Sequence, residues 1–350
     1  MNQSPIVGCI LGTAVGDAIG LPYEGLSRRR GGKVFGPPEG HHLLFRRGMV
    51  SDDTEHTCMV AQALIASGGD VEAFCRSLGW RFRFWFLGLP AGIGFATLRA
   101  ILRLWIGFPP DKSGVFSAGN GPAMRAAILG AALDDRQALR RFVRASSRIT
   151  HTDPKAEHGA LAIAFAAHWA RSYADIDATS FAKELRSLLE SEGEELMELV
   201  DAAAASARNG ESTESFADSL RLSKGVSGFV NHSVPVALHA WFTHPRDYRS
   251  AVAAVIRCGG DTDTTAAMTG GIVGAAVGKA GIPAEWLHGL IEWPRSISWM
   301  EQLGNQLDAA LNTDAKGRPL RLPLAGVLAR NVLFLIVVLF HGFRRLLPPY

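Results

Sequence analysis

Glycine recurs at every fourth position near the start of the chain, at Gly8, Gly12, Gly16 and Gly20, and again near its end at Gly270, Gly274 and Gly278. Residues four apart share one face of a helix, so each run predicts a helix with a flat stripe bare of side chains. A glycine in a helix interior costs about 1 kcal/mol against alanine. A chain that accepts this repeatedly is bringing one backbone hard against another. The same spacing marks helix pairs in membranes, but Asp17 interrupts the first run and acidic residues precede the second. The expectation is therefore two central helices of a water-soluble core, packed tightly enough to hold adjoining loop ends rigid, as a preorganised site requires.

The remaining pattern is helical almost throughout, with predicted helices that include 53–67, 122–133, 234–243 and 264–279. Breakers such as Gly68-Gly69, Pro109-Pro110 and Pro245 separate the segments. Alternating β-branched runs are few, and no Asn-Gly or Asp-Gly turn joins any pair of them. No fixed-period repeat is apparent. An all-α fold follows, with one compact body over residues 1–315 and a tail over 316–350 of different character.

Net charge is only +3 over 350 residues, so no nucleic-acid footprint is expected; the run Arg28-Arg29-Arg30 is read as a solvated loop. Cys9, Cys58, Cys75 and Cys258 show no CxxC spacing and read as buried free thiols in a reducing compartment. No basic segment precedes the apolar stretch that carries Asp17, which argues against a secretory signal. A cytoplasmic location is expected.

Chemistry concentrates in two acidic clusters, Ser51-Asp52-Asp53-Thr54 and Asp261-Thr262-Asp263-Thr264-Thr265, the second behind Gly259-Gly260. Each lies where a loop enters a helical run, so helix capping accounts for either one alone. Taken together, four aspartates with neighbouring hydroxyls are a donor set for hard divalent cations. Should the clusters meet, each pair of carboxylates would repel by about 4 kcal/mol at 4 Å and an effective dielectric of 20, a strain that one or two cations would remove. Asp261 and Asp263 do not share a helix face, and they converge only at an irregular junction of the kind Gly259 and Gly260 permit.

Glu24 closes the segment from Gly16 to Glu24 and becomes an acid/base candidate if it lies beside such a centre. Asp17 is read as a partner for nearby amides. Gly119-Asn120-Gly121-Pro122 opens a helix and leaves backbone amides accessible to an anion. His151-Thr152-Asp153-Pro154 is a similar helix entrance. His151 and His158 lack the spacing and third ligand of a zinc site.

These segments resemble the ADP-ribosylglycohydrolase family, the enzymes related to dinitrogenase-reductase-activating glycohydrolase. The matching stretches are Gly-Asp-Ala-Ile-Gly-Leu-Pro-Tyr-Glu ending at Glu24, Ser-Asp-Asp-Thr at 51–54, Gly-Asn-Gly-Pro-Ala-Met-Arg at 119–125, Ile-Thr-His at 149–151, and Gly-Gly-Asp-Thr-Asp-Thr at 259–264. They follow the family's order over roughly residues 5 to 310. The resemblance implies an all-α orthogonal bundle with a binuclear Mg²⁺ (or Mn²⁺) site in a central cleft. It implies metal ligation by Ser51, Asp52, Asp53, Asp261, Asp263 and Thr264, and Glu24 close to the glycosidic carbon. Gly119, Asn120, Gly121 and His151 would bind ADP-ribose. The implied reaction is hydrolysis of an N- or O-glycosidic bond at C1″ of ADP-ribose, in an ADP-ribosylated protein or a small-molecule conjugate. Ser51 departs from the commoner threonine but keeps the hydroxyl.

Two alternatives stand beside this: a non-catalytic ADP-ribose-binding or crystallin-like protein on the same scaffold, and an all-α Mg²⁺–diphosphate enzyme suggested by Asp52-Asp53-Thr54-Glu55. Residues 84–118, including Phe84, Trp85, Phe86, Trp105 and Phe108, are a candidate for the rim of the cleft, with core packing as the alternative. In the tail, Val332 to Phe340 is an unbroken apolar run, too short to span a bilayer. Extending it back to Leu324 takes in Arg330 and Asn331. A docked or interface-forming helix is expected there, with membrane association as the alternative.

Overall fold

The computed structural model describes residues 4–189, 192–313, 316–345 and 347–348. About 69% of the chain is helical, and among the described residues pairing of the β type is limited to isolated bridges. The first helix, Pro5–Gly20, is buried on every side from Ile6 to Gly20, as a helix apolar all round must be. Its partner is the helix Thr262–Val277, likewise buried through most of its length. The two run antiparallel with their stripes in register: a Cβ on Gly8 would strike the Gly274 carbonyl oxygen, one on Gly12 that of Gly270, and one on Gly16 that of Ala266. Only a glycine stripe allows that approach.

The pair fixes the site because both stripes run into it. Gly20 abuts the first turn of Thr262–Val277, where Thr262 Oγ1 donates to the Gly20 carbonyl at 2.9 Å. The chain then passes through a short turn, Leu21–Tyr23, to Glu24. The helix Asp52–Ser67 packs alongside and begins at the same end.

Three expectations about helices need correction. The predicted helix at 122–133 is two pieces, Gly121–Met124 and Ala127–Ala132. The break falls at Arg125, whose fully buried guanidinium is drawn to Gly121, Ser146 and Thr150. The helix expected at 234–243 begins at Val230 and runs through Pro235. Arg28-Arg29-Arg30 is no solvated loop but opens the helix Arg28–Phe35, capped by Ser27. Arg28 donates to the Cys258 carbonyl at 3.0 Å and pairs with Asp218 at 2.8 Å, tertiary partners that a local reading does not see.

The tail forms a helix, Leu324–Arg344, laid against the body. Its Phe334 and Val337 pack with Leu21, Leu43 and Met49. The boundary expected after residue 315 falls at positions 314 and 315, outside the described residues.

Candidate active site

Ser51 is the N-cap of Asp52–Ser67, accepting from the Asp53 amide at 3.3 Å, so capping and a chemical role coexist at one residue. Asp17, fully buried on the first helix, acts as the bracket. Its carboxylate accepts from the Ser51 amide at 2.9 Å, the Thr54 amide at 3.2 Å and the Thr54 hydroxyl at 2.5 Å. This is the amide-binding part expected of Asp17. Burial pushes its pKa up to about 7, against the pull of those donors.

The second cluster is set by backbone. Gly259 and Gly260 adopt φ of 68° and 82°, a region that favours glycine. Their strand-like segment lies between two others: the Gly25 amide donates to the Gly260 carbonyl at 2.7 Å, and the Asp261 amide to the Val226 carbonyl at 2.8 Å. The first of these contacts brings Glu24 beside Asp261. The two clusters meet directly where the Thr264 hydroxyl donates to Asp53 Oδ2 at 3.4 Å, and Ser51 Oγ donates to the same oxygen at 2.9 Å.

Glu24, Asp52, Asp261, Asp263 and Thr264 all line one open cleft of about 330 Å³, together with Gly119, Asn120, Gly121 and His151. That volume lies within the range of small-molecule sites. The glycine loop is assembled by its neighbours. The Asn120 amide donates to the Gly228 carbonyl at 2.9 Å, and Arg125 Nη1 to the Gly121 carbonyl at 2.8 Å. The His151 ring presses on both glycines, so a Cβ on Gly121 would stand 2.9 Å from the ring carbon Cε1. His151 bonds Thr150 Oγ1 at 2.9 Å, and burial, aided by the Arg125 charge, pushes its pKa down to about 3. Its imidazole is neutral at physiological pH. The Asn120 side chain turns to the second cluster and donates to Asp261 Oδ2 at 2.6 Å.

The electrostatics are one-sided. Burial, reinforced by their neighbours' negative charges, holds Asp52, Asp53 and Asp263 well above the usual carboxylate range; burial also raises Asp261. Glu24 is open to solvent at the mouth of the cleft yet shielded by its walls. That partial desolvation, with the charge of Asp261, raises it, while Arg345 opposes. Among the described residues no ion pair reaches any of these five carboxylates. Asp53 Oδ1 and Asp263 Oδ1 are buried without any hydrogen-bond partner, and such orphaned oxygens are costly. No three His, Cys, Asp or Glu side chains among the described residues form a metal cage by themselves. The donors are instead a mixture of carboxylates and hydroxyls, which fits a hard cation that keeps part of its water shell.

Of the aromatics considered for the rim, Trp85 is buried, donating to Glu55 at 2.5 Å, and Phe84, Phe86, Trp105 and Phe108 do not line the cleft. Within the expected segment 84–118 the lining comes from Gly92, Gly94, Phe95, Ala96, Thr97 and Ser117, with Phe95 74% exposed. The segment was legible in the sequence, but Phe95 was not singled out within it, because one aromatic among many carries no local mark.

The sequence profile of the ADP-ribosylglycohydrolase family matches residues 2–317. An uncharacterized protein of Archaeoglobus fulgidus is 32% identical over 308 residues, covering 85% of this chain and 94% of its own. The ADP-ribosyl-[dinitrogen reductase] glycohydrolase of Rhodospirillum rubrum is 27% identical, covering 87% and 95%. A solved ADP-ribosylglycohydrolase-related protein complex superposes with a TM-score of 0.69 at 26% identity, over 88% of this chain and 98% of that one. Helical architecture, paired acidic loops and the matched span agree: the chain belongs to the ADP-ribosylglycohydrolase family and is a hydrolase of that class.

Proposed function

We propose that this enzyme cleaves the N- or O-glycosidic bond at C1″ of ADP-ribose in an ADP-ribosylated protein or small-molecule conjugate, releasing ADP-ribose. The supporting observation is the pair of acidic loops brought from distant parts of the chain to one cleft, where among the described residues no ion pair reaches their carboxylates. Two Mg²⁺ (or Mn²⁺) would be held by Ser51, Asp52, Asp53, Asp261, Asp263 and Thr264, where the orphaned Asp53 and Asp263 oxygens await a partner. Bound there, the ions supply Lewis-acid polarisation and a fixed charge beside the ribose.

The protein's own groups do the rest. The Gly119–Gly121 loop would cradle the diphosphate, its two glycines leaving no side chain to hold the ligand off, and neutral His151 contributes a hydrogen bond without adding charge. Asn120 steadies Asp261. The C1″–N or C1″–O bond breaks with its electron pair leaving on the departing group, which gains a proton; water adds to C1″ and loses one. Glu24, at the mouth and with its proton affinity raised, transfers that proton between incoming water and leaving group. The Cys9, Cys58, Cys75 and Cys258 thiols are free, and a cytoplasmic location belongs to the same proposal.

The test is release of ADP-ribose from a panel of arginine-, serine- and acetyl-linked substrates with Mg²⁺, with Mn²⁺ and with EDTA. Turnover that is metal-dependent on at least one linkage is expected, and Glu24→Ala should lower it about 10²–10⁴-fold while ADP-ribose still binds. Full activity in EDTA, or an undiminished Glu24→Ala enzyme, would overturn the reading. ADP-ribose binding without hydrolysis of any linkage would favour the non-catalytic alternative.

A further inference from the structure

The tail helix Leu324–Arg344 is built inside out. Its polar residues face the body and are buried there: Arg330 against Glu55, Glu292 and the Val50 carbonyl, Asn331 on the Gly88 carbonyl at 2.7 Å, and His341 on the Leu43 carbonyl. Its opposite face carries Val332, Leu335, Ile336, Leu339, Phe340 and Phe343, all between 43% and 68% exposed. These recur at three- and four-residue spacing, one continuous apolar stripe. An ordinary surface helix has the reverse arrangement. The stripe also continues onto the body. Trp293 stands beside Gly326 and is 57% exposed, and Leu89 and Phe45, 65% and 93% exposed, flank the tail's bonding partners Gly88 and Leu43. Leu89 and Phe45 hold positive φ of 57° and 47°, a backbone that bulky residues rarely adopt. Exposed apolar surface of this extent marks an interaction face.

Charge selects the occupant. From residue 316 to 350 the chain carries six Lys or Arg and no Asp or Glu; Arg330 is paired inside the body, while Lys316, Arg318, Arg321 and Arg344 are exposed. Arg46 lies exposed next to Phe45. A second copy pairing through this face would set cations against cations. Spanning a bilayer is excluded by the ties of Arg330, Asn331 and His341 to the body. We infer that the tail helix lies flat in the headgroup region of an anionic lipid surface, its apolar stripe inserted and the exposed Arg344 on the phosphates. On this reading 316–350 is a docking appendage to a catalytic body of residues 1–315. Arg345 donates to the Pro22 carbonyl at 3.2 Å, at the turn that ends in Glu24, so docking would bring the lipid surface close to the cleft.

The test is flotation of the full-length protein with phosphatidylcholine vesicles, with and without phosphatidylglycerol. The wild type should float with the anionic vesicles and be released by high salt. The double variant Ile336→Glu/Phe340→Glu, altered only at exposed positions, should lose at least about tenfold in partition while keeping its melting temperature and its turnover of soluble substrate. Absence of wild-type flotation would overturn the inference, as would equal binding to both vesicle types. So would a wild-type dimer, dissociated by the same variant, that does not bind lipid. None of these readouts depends on which linkage the enzyme cleaves.

Discussion

Glu55 follows Asp52 by three residues on the same helix, yet their surroundings differ completely. Glu55 and its neighbour Glu292 are matched by two arginines: Arg295 reaches Glu55 at 2.9 Å, and Arg330 reaches Glu292 at 2.8 Å. Burial alone would raise Glu55, but Arg295 and Arg330 pull it below its usual value; at Glu292 burial wins and the carboxyl is raised. Among the described residues no ion pair reaches Asp52, Asp53, Asp261 or Asp263, and at Asp52, Asp53 and Asp263 the neighbouring carboxylates add to the cost of burial. The fold can therefore place arginines against buried carboxylates here, and it leaves one group without them. Carboxylates balanced by protein serve the architecture. Those left unbalanced are the ones we propose would hold divalent cations.

The largest expected effect breaks the unbalanced group. Asp53→Asn or Asp263→Asn should lower metal-supported turnover by about 10³-fold or more. In EDTA the same variants should melt about 1–3 °C above wild type, because a repulsion of order 1 kcal/mol has gone. If they melt lower in EDTA, the aspartates are structural and the contrast fails.

Next comes the balanced group. Glu55→Gln leaves Arg295 and Arg330 under-compensated in a buried place, and stability should fall by about 3–5 kcal/mol, read from urea midpoints. A loss below about 1 kcal/mol would show that the network is not a structural anchor.

The smallest effect is a pH dependence. Asp52, Asp53 and Asp263 have raised folded-state values, and Asp17 is raised to about 7. For a raised acid the folded state holds its proton longer than the unfolded chain. Its contribution to stability is thus present below the unfolded value near 3.9 and is lost as pH climbs through the folded one. Metal-free enzyme should be more stable at pH 6 than at pH 8, by about 1 kcal/mol, and saturating Mg²⁺ should flatten the slope. Glu55, with a lowered value, acts oppositely and only in acid, where stability falls as it protonates. A metal-free slope of the other sign would remove the unbalanced cluster from the account.

Much of this was legible in the chain because it was written in local rules. Four-residue glycine spacing, a serine before Asp-Asp-Thr, and Gly-Gly before Asp-x-Asp each declare a backbone requirement, and the structure honours all three. What escaped was decided by distant partners. Arg28 is ordered by Cys258 and Asp218, the break at Arg125 by Ser146 and Thr150, and the inverted tail by Glu55 and Glu292. Asn120 could be placed near the cleft, but its bond to Asp261 could not. Periodicity shows which residues share a face; it does not show what that face will meet.

The antiparallel pairing of Pro5–Gly20 with Thr262–Val277 has a consequence for how the molecule forms. Its central contact joins segments separated by some 250 residues, so the first helix made is among the last to be covered. A contact of such long range is slow to close. Until the second stripe emerges, an apolar helix without side-chain charge beyond Asp17 stays open to other partners, a hazard for aggregation. The motif that makes the finished protein rigid also makes its birth the period of greatest risk.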